Sequence, residues 1–550
     1  MADEKFTKLV HSTFTMYGLI IPRKLSGSLA KRLLTNYGES AEKELTKIVE
    51  QILLQNLSSP HVDLENIQLA LKECHRPAST MQDTETVLNV IDVFTVPKVV
   101  YDLNKQKYTL QSTSLDLFSD AMKKSLVYKE RLDLVWYRTQ KHAVFAPSKF
   151  TNTEEKKEQL VPIEYLLSES KTSDICVMGI LAQLEEGQWY LEDHSGSVKI
   201  NLANTISFSK SYSVELDASL NPSSCYYSSL IVEGSIVLAK GQYLEGMMHI
   251  ETMSFPPAEL SSNSRVAFGD TNTFGGQHPT SLKLSEKLKA FEEAHANDIF
   301  FFSEFWVDHE KVLNKFEVLL SGFSDEPPTA IVLCGHFSSS PLNSSSTKKL
   351  REGFKKIAAI ITRFPAIQES TTFVLVPGPY DPSAPKVLPR PPLSKYIVED
   401  LIKVVPKVIL ATNPCRIQLC TKEIVVFREN ILSKLCRNTL HYPNKTRDED
   451  DDTRGEEVCN AFAKAIICQS HLAPLLYSTV PVYWKHDQAL QLYPIPDLVV
   501  VADDFRPYKT SHFECKVMNP GPFMKSNFSF KSYLPNENEI EDCSVADDVV

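Results

Sequence analysis

The chain has 550 residues, of which 43% are hydrophobic and 23% charged, and its formal net charge is −11. At ~150 residues per domain, this length predicts three or four domains of a soluble globular protein. Its 18 glycines are less than half the usual share of ~7%, which counts against the glycine-rich loops of nucleotide enzymes, and the acidic charge counts against a protein that neutralises DNA phosphates.

Residues 1–77 predict a compact helical domain. A stripe within it has the spacing of one apolar helix face, formed by Leu45, Ile48, Val49, Ile52 and Leu53. Such a stripe usually packs into a core, and a small bundle joined to a larger body can also act as a docking module. The following segment, 78–160, has a mixed pattern, and we expect a linker with some local structure.

Residues 161–260 change to a period of two, which predicts β-strands. Three strands are separated by turns at Glu186-Gly187 and Ser195-Gly196, and after a serine-rich interval two further strands are joined at Glu245-Gly246. Five strands in this arrangement are typical of an OB-fold β-barrel.

Residues 285–533 alternate strands with helices, which predicts an α/β domain. Its strands are short apolar runs: DIFFFSE (298–304), TAIVLCG (329–335), TTFVLVPG (371–378) and PDLVVVAD (496–503). Polar residues follow these runs, where an α/β fold normally places its active site. The predicted fold class is thus multi-domain α+β, with a helical domain, a barrel and an α/β domain in chain order.

Most of the net negative charge, −8 of −11, lies near the end of the chain, where residues 441–550 contain 10 Lys and Arg against 18 Asp and Glu. The run 447–457 includes five consecutive acids, Asp448 to Asp452, which predicts a solvated, disordered loop. The alternative is an acidic patch for a basic partner. We expect residues 534–550 to form an acidic tail.

The strand ends of the α/β domain fit the ligand order of calcineurin-type metallophosphoesterases, which is D-x-H, GD-x-x-D, GNH-[DE], a later His and GH-x-H. Two metal ions ~3.5–4 Å apart need a bridging carboxylate and several neutral imidazoles. In this chain the ligand positions are occupied by Glu304, Trp306, His336, Ser339, Pro379, Tyr380, Asp381, His471, Asp503 and Phe505.

About half of these positions lack a usable metal donor. Trp306 has no lone pair to offer, and His336 stands where the bridging Asp is required. We therefore predict a degenerate phosphoesterase with no catalytic residue, no cofactor and no metal. One weakly held metal remains an alternative, with Glu304, His336, Asp381, His471 and Asp503 as its ligands.

Several longer strings carry a resemblance over nearly the whole chain: YLEDHSGSV, FGG (274–276), LCGHFSSSP, LPRPPL (388–393), TNPCRIQLCTKEIVVFREN (412–430) and PVYWKHDQALQLYPIPDLVVVAD (481–503). With these strings the chain resembles the B subunits of replicative DNA polymerases, and among them the epsilon type. The helical N-terminal domain, similar to the lid of AAA+ ATPases, fits the epsilon type better than the alpha or delta type.

The resemblance implies a non-catalytic subunit in the nucleus. Its implied partners are the cysteine-rich C-terminal module of the epsilon catalytic subunit, small histone-fold subunits of the same complex, and the GINS part of the replicative helicase through the N-terminal domain. It implies contact with DNA mainly through these partners and none with a membrane.

Two other functions stay open at this point. One is an active metal-dependent phosphoesterase. The other is a single-stranded nucleic-acid-binding OB protein, with base stacking on Trp189, Tyr190, Phe208, Tyr212, Tyr226 and Tyr227. The low number of Lys and Arg in the barrel segment counts against the second, because stacking sites normally lie in a basic groove.

Overall fold

A computed structural model of the chain describes residues 2–37, 41–55, 60–64, 66–67, 70–71, 87–102, 107–111, 116–146, 158–169, 171–203, 205–207, 230–341, 346–382, 386–440 and 451–545. These residues belong to two compact units, Met1–Thr86 and Val87–Val550. In the part of the chain that is described, no helix is long and apolar enough to cross a membrane.

The N-terminal unit is helical, as predicted. Its helices are α1 (Ala2–Met16), α2 (Arg23–Tyr37) and α3 (Ala41–Leu54). The apolar face of α3 is buried at Leu45, Ile48, Val49 and Ile52, together with Phe14 of α1 and Leu33 of α2. Leu53 is 43% exposed and lies at the edge of this face. The 3.6-residue period therefore predicted which side of α3 packs.

The larger unit begins with elements that the sequence pattern did not resolve. They are β1 (Leu88–Ile91), the hairpin strands β2 (Lys98–Asp102) and β3 (Lys107–Gln111), and helix α4 (Met122–Lys141). For the segment 78–160 we predicted a linker with some local structure, and these four elements lie within its described residues. Strand β1 extends a sheet of the α/β domain, and α4 buries Val127, Leu132, Leu134 and Val135.

A closed β-barrel follows, after the short helix α5 (Ile163–Leu167). Its strands are β4 (Lys171–Glu185), β5 (Gln188–Glu192), β6 (Ser197–Asn201), β7 (Ile206–Ser207), β8 (Ile236–Leu244) and β9 (Met247–Ser254). Strand β6 pairs with β5 on one side and with β9 on the other, which closes the barrel. The predicted turn between β8 and β9 has positive φ at Glu245 and Gly246, as a two-residue hairpin turn requires.

The α/β domain contains two six-stranded sheets. Sheet I has the order β13-β12-β11-β10-β19-β20, and sheet II has the order β1-β14-β15-β16-β18-β17. The strands after the barrel are β10 (Ile299–Phe302), β11 (Ala330–Cys334), β12 (Thr372–Val376), β13 (Val408–Leu410), β14 (Cys415–Leu419), β15 (Lys422–Phe427), β16 (Leu498–Val501), β17 (Tyr508–His512), β18 (Cys515–Asn519), β19 (Ser529–Leu534) and β20 (Glu539–Ser544).

Most helices of this domain cover the outer faces of the two sheets. In chain order the helices are α6 (Ser261–Val266), α7 (Glu286–Ala294), α8 (Glu310–Gly322), α9 (Ser346–Ile361), α10 (Pro365–Ser370), α11 (Glu399–Val404), α12 (Ile431–Asn438) and α13 (Asp451–Cys468). Alternate residues of β10 face opposite ways. Ile299 and Phe301 pack between the two sheets, whereas Phe300 and Phe302 pack under α8 and α9.

One continuous core joins the barrel to the outer face of sheet II. It includes Val177 and Ile200 of the barrel, Val499 of β16, and Leu435 and Phe462 of the covering helices α12 and α13. The barrel and the α/β domain are therefore parts of one hydrophobic body.

Two acidic segments differ from the prediction. Part of the run 447–457 is helical, because α13 begins at Asp451; acids in a first helical turn are favoured by the helix dipole. Residues 441–450 lie outside the described residues. The segment 534–550 contains the edge strand β20 of sheet I, in which Ile540 is buried. Its acids Glu539 and Asp542 pair with lysines of β18 and β17 in sheet II. Residues 539–544 are therefore part of sheet I and not of a free tail.

Candidate functional site

The carboxyl ends of parallel strands from both sheets meet in one cleft. Strands β10, β11 and β12 run parallel in sheet I, and β15 and β16 run parallel in sheet II. The residues that follow these strands are Glu304, His336, Asp381, Arg428 and Asp503. Four of the five are positions that the sequence assigned to metal ligands, and the fifth is an arginine.

Arg428 lies at the centre of this cleft and is completely buried. Its Nη1 donates to the Ala502 carbonyl at 2.8 Å and to Asn430 Oδ1 at 2.7 Å, and its Nη2 donates to Glu304 Oε1 at 3.3 Å. Its Nε donates to the carbonyl oxygen of Gly335. The guanidinium therefore connects the ends of strands from both sheets.

Glu304 is held between two cations. Its Oε1 accepts from Arg428, and its Oε2 accepts from Lys525 Nζ at 2.9 Å. The same ammonium group lies 5.4 Å from the centre of the Trp306 ring, a cation–π contact. Trp306 itself is partly buried against the core outside sheet I. The side chains at both predicted ligand positions after β10, Glu304 and Trp306, are thus engaged in contacts within the protein.

Asp381 is buried and accepts two main-chain hydrogen bonds. Its Oδ1 accepts from Phe337 N at 2.8 Å, and its Oδ2 accepts from Gly378 N at 2.7 Å. Burial raises the pKa of this carboxyl to about 6, and the two N–H groups and the nearby Arg428 limit the rise. Asp381 thus fixes the loops after β11 and β12 against each other.

Asp503 has a similar arrangement after β16. Its Oδ2 accepts from Leu432 N at 3.0 Å, and its Oδ1 accepts from Phe505 N at 3.3 Å. Burial raises the pKa of Asp503 to about 7, and a hydrogen bond with Asp504 raises it further, whereas Leu432 N and Arg428 oppose the rise. The carboxyl joins the start of α12 to the end of β16.

His336 is partly buried near the mouth of the cleft. Its Nδ1 accepts from the main-chain N–H of Tyr380 at 3.3 Å. Burial, followed by the charges of Arg428 and Arg390, lowers the pKa of His336 to about 2, so the imidazole is neutral. The exposed ring of Tyr380 lies against His336 on one side, and Lys386 Nζ lies 4.1 Å from its centre.

The remaining positions near the cleft have structural contacts. The exposed Ser339 donates from its N–H to Asp308 Oδ1 at 2.8 Å and from its hydroxyl to Asp308 Oδ2 at 3.1 Å. Pro379 is buried, and Phe505 is partly buried beside the core that joins the barrel to sheet II. Neither side chain offers a lone pair to a metal.

His471 belongs to a different cluster. It is buried, and its Nε2 lies 3.4 Å from Asp487 Oδ1. Arg131 of α4 donates to both oxygens of Asp487, from Nε at 2.9 Å and also from Nη2, and the Tyr477 hydroxyl donates to Oδ1 at 3.3 Å. Burial and then Arg131 lower the pKa of His471, against the opposing effect of Asp487. The structure therefore brings Glu304, His336, Asp381 and Asp503 together and places His471 elsewhere.

Sequence reasoning missed the cations of the cleft, Arg428, Arg390 and Lys525. Arg390 is buried and donates to Glu429 Oε2 at 2.7 Å. A signal for Arg428 was present, because this arginine directly follows the apolar strand KEIVVF. A search for metal donors passes over it, since arginine has no lone pair to give.

The two metal ions that a calcineurin-like fold implies do not fit these residues. Glu304 is paired with two cations, and Asp381 and Asp503 each use both oxygens as acceptors of main-chain N–H groups. Among the described residues, no group of three or more His, Cys, Asp and Glu side chains could hold a metal ion. The cleft can link strand ends, and it offers no free set of donors.

Family models match three consecutive parts of the chain. Residues 2–74 match the model described as DNA polymerases epsilon N terminal, and residues 121–257 match the OB-fold domain of DNA polymerase epsilon subunit 2-like proteins. Residues 299–510 match the model for the alpha/epsilon type of DNA polymerase B subunit. The barrel match begins at α4, within the segment that we predicted as a linker.

Relatives are similar over almost the whole chain. The human DNA polymerase epsilon subunit 2 is 36% identical over 98% of this chain and 99% of its own length, and the Drosophila melanogaster protein of the same name is 34% identical over 98% of each. A solved archaeal phosphodiesterase aligns with 45% of this chain and 98% of its own at 10% identity, with a TM-score of 0.24, which is too low to bear on the fold.

The predicted fold class is confirmed as multi-domain α+β, with N-terminal helices, an OB-fold barrel and an α/β domain in chain order. The resemblance to the epsilon type of B subunit is also confirmed, by the family models and by relatives from several animals. The chain therefore belongs to the DNA polymerase epsilon subunit 2 family.

Proposed function

We propose that the chain is a non-catalytic accessory subunit of DNA polymerase epsilon and works in nuclear DNA replication. The observation that carries this proposal is the similarity to proteins of that name over 98% of the chain. The absence of a catalytic role is supported by the contacts of the former ligand positions, whose carboxylates are engaged by Arg428, Lys525 and main-chain N–H groups.

The partner that we propose for the larger unit is the cysteine-rich C-terminal module of the polymerase catalytic subunit. The core that joins the barrel to the α/β domain supports this assignment, because one body can present both domains to a partner in a fixed arrangement. The small histone-fold subunits belong to the same proposed complex, and contact with DNA is made mainly through the partners.

Capture on the catalytic subunit tests this proposal. The full chain is expected to bind the immobilised C-terminal module at submicromolar concentration. It should not bind a catalytic subunit from which that module has been removed. The shorter chain 87–550 should bind equally well, because its core lies within one compact unit. Absence of a complex at micromolar concentration would refute the proposal.

The N-terminal unit is proposed as the link to the GINS complex of the replicative helicase. Its separate core makes it suited to a docking role of its own. We expect the full chain to bind GINS and chain 87–550 to lose this binding, with capture of the catalytic module as the internal control. Equal binding of GINS by both chains would place the helicase contact on the larger unit instead.

The two alternative functions can be tested on the same preparations. Phosphodiester hydrolysis in the presence of Mn²⁺ should stay at background, and a signal lost in the Asp381→Ala variant would restore the enzyme hypothesis. For nucleic acid, Trp189 packs against the barrel core, and Phe208, Tyr212, Tyr226 and Tyr227 lie outside the described residues. Salt-dependent binding of labelled single strands by the isolated subunit would favour that function.

A further inference from the structure

Four oxygen atoms converge on the guanidinium of Arg428. Two are main-chain carbonyl oxygens, from Gly335 after β11 and Ala502 after β16, and two are side-chain oxygens, from Glu304 after β10 and Asn430 after β15. We call these four atoms the oxygen cage. Carbonyl, amide and carboxylate oxygens are also the ligand types that hard divalent cations prefer.

The cage needs a positive charge at its centre. Glu304 is buried, and a buried carboxylate is costly unless a cation is paired with it. The carbonyl oxygens of Gly335 and Ala502 accept from Nε and Nη1 of the same guanidinium and would lose these donors without it. Lys525 reaches the other oxygen of Glu304 from the mouth of the cleft, so it leaves the centre to Arg428.

We propose that Arg428 is a built-in cation that takes the place of the metal ions of calcineurin-like phosphoesterases. It links the strand ends of both sheets, and it excludes divalent cations from the cleft by occupying their oxygen ligands. This inference rests on the proposed non-catalytic function. It implies that removal of the guanidinium converts the oxygen cage into a site for a hard divalent cation such as Mn²⁺.

Manganese binding by purified full-length protein tests this proposal, with the electron paramagnetic resonance signal of free Mn²⁺ as the readout. Because Arg428 occupies the oxygen cage, Glu304 should not contribute to Mn²⁺ binding in the wild-type protein. The wild-type protein and the Glu304→Gln variant should therefore bind the same amount of Mn²⁺. The Arg428→Ala variant should take up about one Mn²⁺ more per chain. Its melting temperature should fall by about 5–10 °C and recover by at least half in about 1 mM Mn²⁺.

Arg390→Ala is the matched control. It also removes a buried arginine from a carboxylate, Glu429, but Lys434 Nζ still contacts that carboxylate at 3.1 Å. This variant should lose stability without gaining Mn²⁺ binding or any recovery in Mn²⁺. Recovery equal to that of Arg428→Ala would mean that the effect is not specific to the oxygen cage.

Two results would overturn the proposal. One is a Mn²⁺ ion bound by the wild-type protein and lost in Glu304→Gln, and the other is a folded Arg428→Ala variant that takes up no additional Mn²⁺. If Arg428→Ala does not fold, the comparison of wild type with Glu304→Gln still decides whether the cation is excluded, and the larger but neutral Arg428→Gln replaces it as the variant, with the same expected gain of Mn²⁺. If the wild-type protein binds Mn²⁺ through Glu304 but is still captured by the catalytic module, only the role of Arg428 is refuted. If the wild-type protein binds no Mn²⁺ and is not captured by the module, only the proposed function is refuted.

Discussion

Gly335 lies against the carboxylate of Asp381, with no room for a side chain between them. A Cβ at this position would be 1.9 Å from Asp381 Oδ2 and 2.7 Å from Gly378 N. Because Asp381 already holds two loops through its hydrogen bonds, it cannot move without breaking them. Gly335→Ala is therefore expected to lower the free energy of unfolding by about 3 kcal/mol, as measured by urea denaturation.

Gly322→Ala is the control for this change, because it introduces the same methyl group at the end of α8, where a Cβ meets nothing within 4 Å. We expect it to raise stability by about 0.5 kcal/mol, since alanine has the higher helix propensity. Equal stability losses in the two variants would show that the close contact at Gly335 is not the cause.

Asp503 should make stability depend on pH. Its folded pKa of about 7 lies above the ordinary Asp value of about 3.9, so the folded chain holds a proton that the unfolded chain releases at lower pH. This contribution to stability is complete below the unfolded pKa and is lost as pH rises through about 7. In the wild-type protein the free energy of unfolding should therefore fall between about pH 5 and about pH 8. In Asp503→Asn this fall should be smaller by about 2 kcal/mol.

Urea denaturation at both pH values provides the measurement, and Asp325→Asn, at an exposed acid, is the control. The control should keep the wild-type dependence on pH. An unchanged dependence in Asp503→Asn would contradict the raised pKa, even if the variant is less stable at each pH because an amide cannot accept both hydrogen bonds.

At the residue scale, the sequence predicted the position of the cleft at the strand ends, but it did not predict that an arginine lies at its centre. Strand ends are readable from apolar runs, and Glu304, Asp381 and Asp503 do follow those ends. Arg428 was missed because no ligand pattern contains an arginine. His471 was misplaced because order along the chain does not reveal its contact with Asp487.

Helix α4 shows what element-scale prediction can miss. The runs that form β10, β11, β12 and β16 are continuously apolar, so their period and ends were readable. In α4 the buried positions include Arg138 and Thr139. Arg138 donates to Ser470 Oγ at 2.5 Å and to the Cys468 carbonyl at 2.6 Å. Polar residues on the packed side interrupt the apolar stripe that marks a helix in the sequence.

The pair Arg131 and Asp487 is one of the contacts between α4 and the α/β domain. Both side chains are largely buried, at 14% and 12% exposure, and the pair is bidentate. Removing one partner leaves the other charge buried without compensation. Asp487→Ala is expected to lower the unfolding free energy by about 3 kcal/mol and to accelerate amide hydrogen exchange in α4.

Lys485→Ala provides the comparison, because Lys485 forms an ion pair with Asp116 just before the same helix. This pair is more exposed, at 30% and 75%, and such pairs contribute about 0.5 kcal/mol or less. Hydrogen exchange in α4 should then stay near the wild-type rate. If Asp487→Ala is as mild as Lys485→Ala, the buried pair does not hold α4 in place.

At the scale of the whole molecule, the two units have separate cores, and the barrel shares its core with sheet II. Sequence periodicity suggested a barrel and an α/β domain as separate parts, because it reports which side of an element is buried and not what that side packs against. Phe462 of α13 is completely buried in the joint core, so its packing stabilises both parts of the larger unit.

We therefore expect calorimetry of the full chain to resolve two transitions, one for residues 1–86 and one for residues 87–550. Phe462→Ala should lower the temperature of the second transition, with a loss of about 3–5 kcal/mol, and leave the first unchanged. Leu45→Ala, in the core of the N-terminal unit, should do the reverse, with a loss of about 2–5 kcal/mol. Because the joint core couples the barrel to sheet II, two signals of chain 87–550 should change at the same urea concentration. They are the far-ultraviolet circular dichroism and the fluorescence of Trp189, measured in a variant in which Trp136, Trp306 and Trp484 are replaced by Phe. Separate midpoints for these two signals would mean that the barrel unfolds independently, and the joint core would then not couple the two domains.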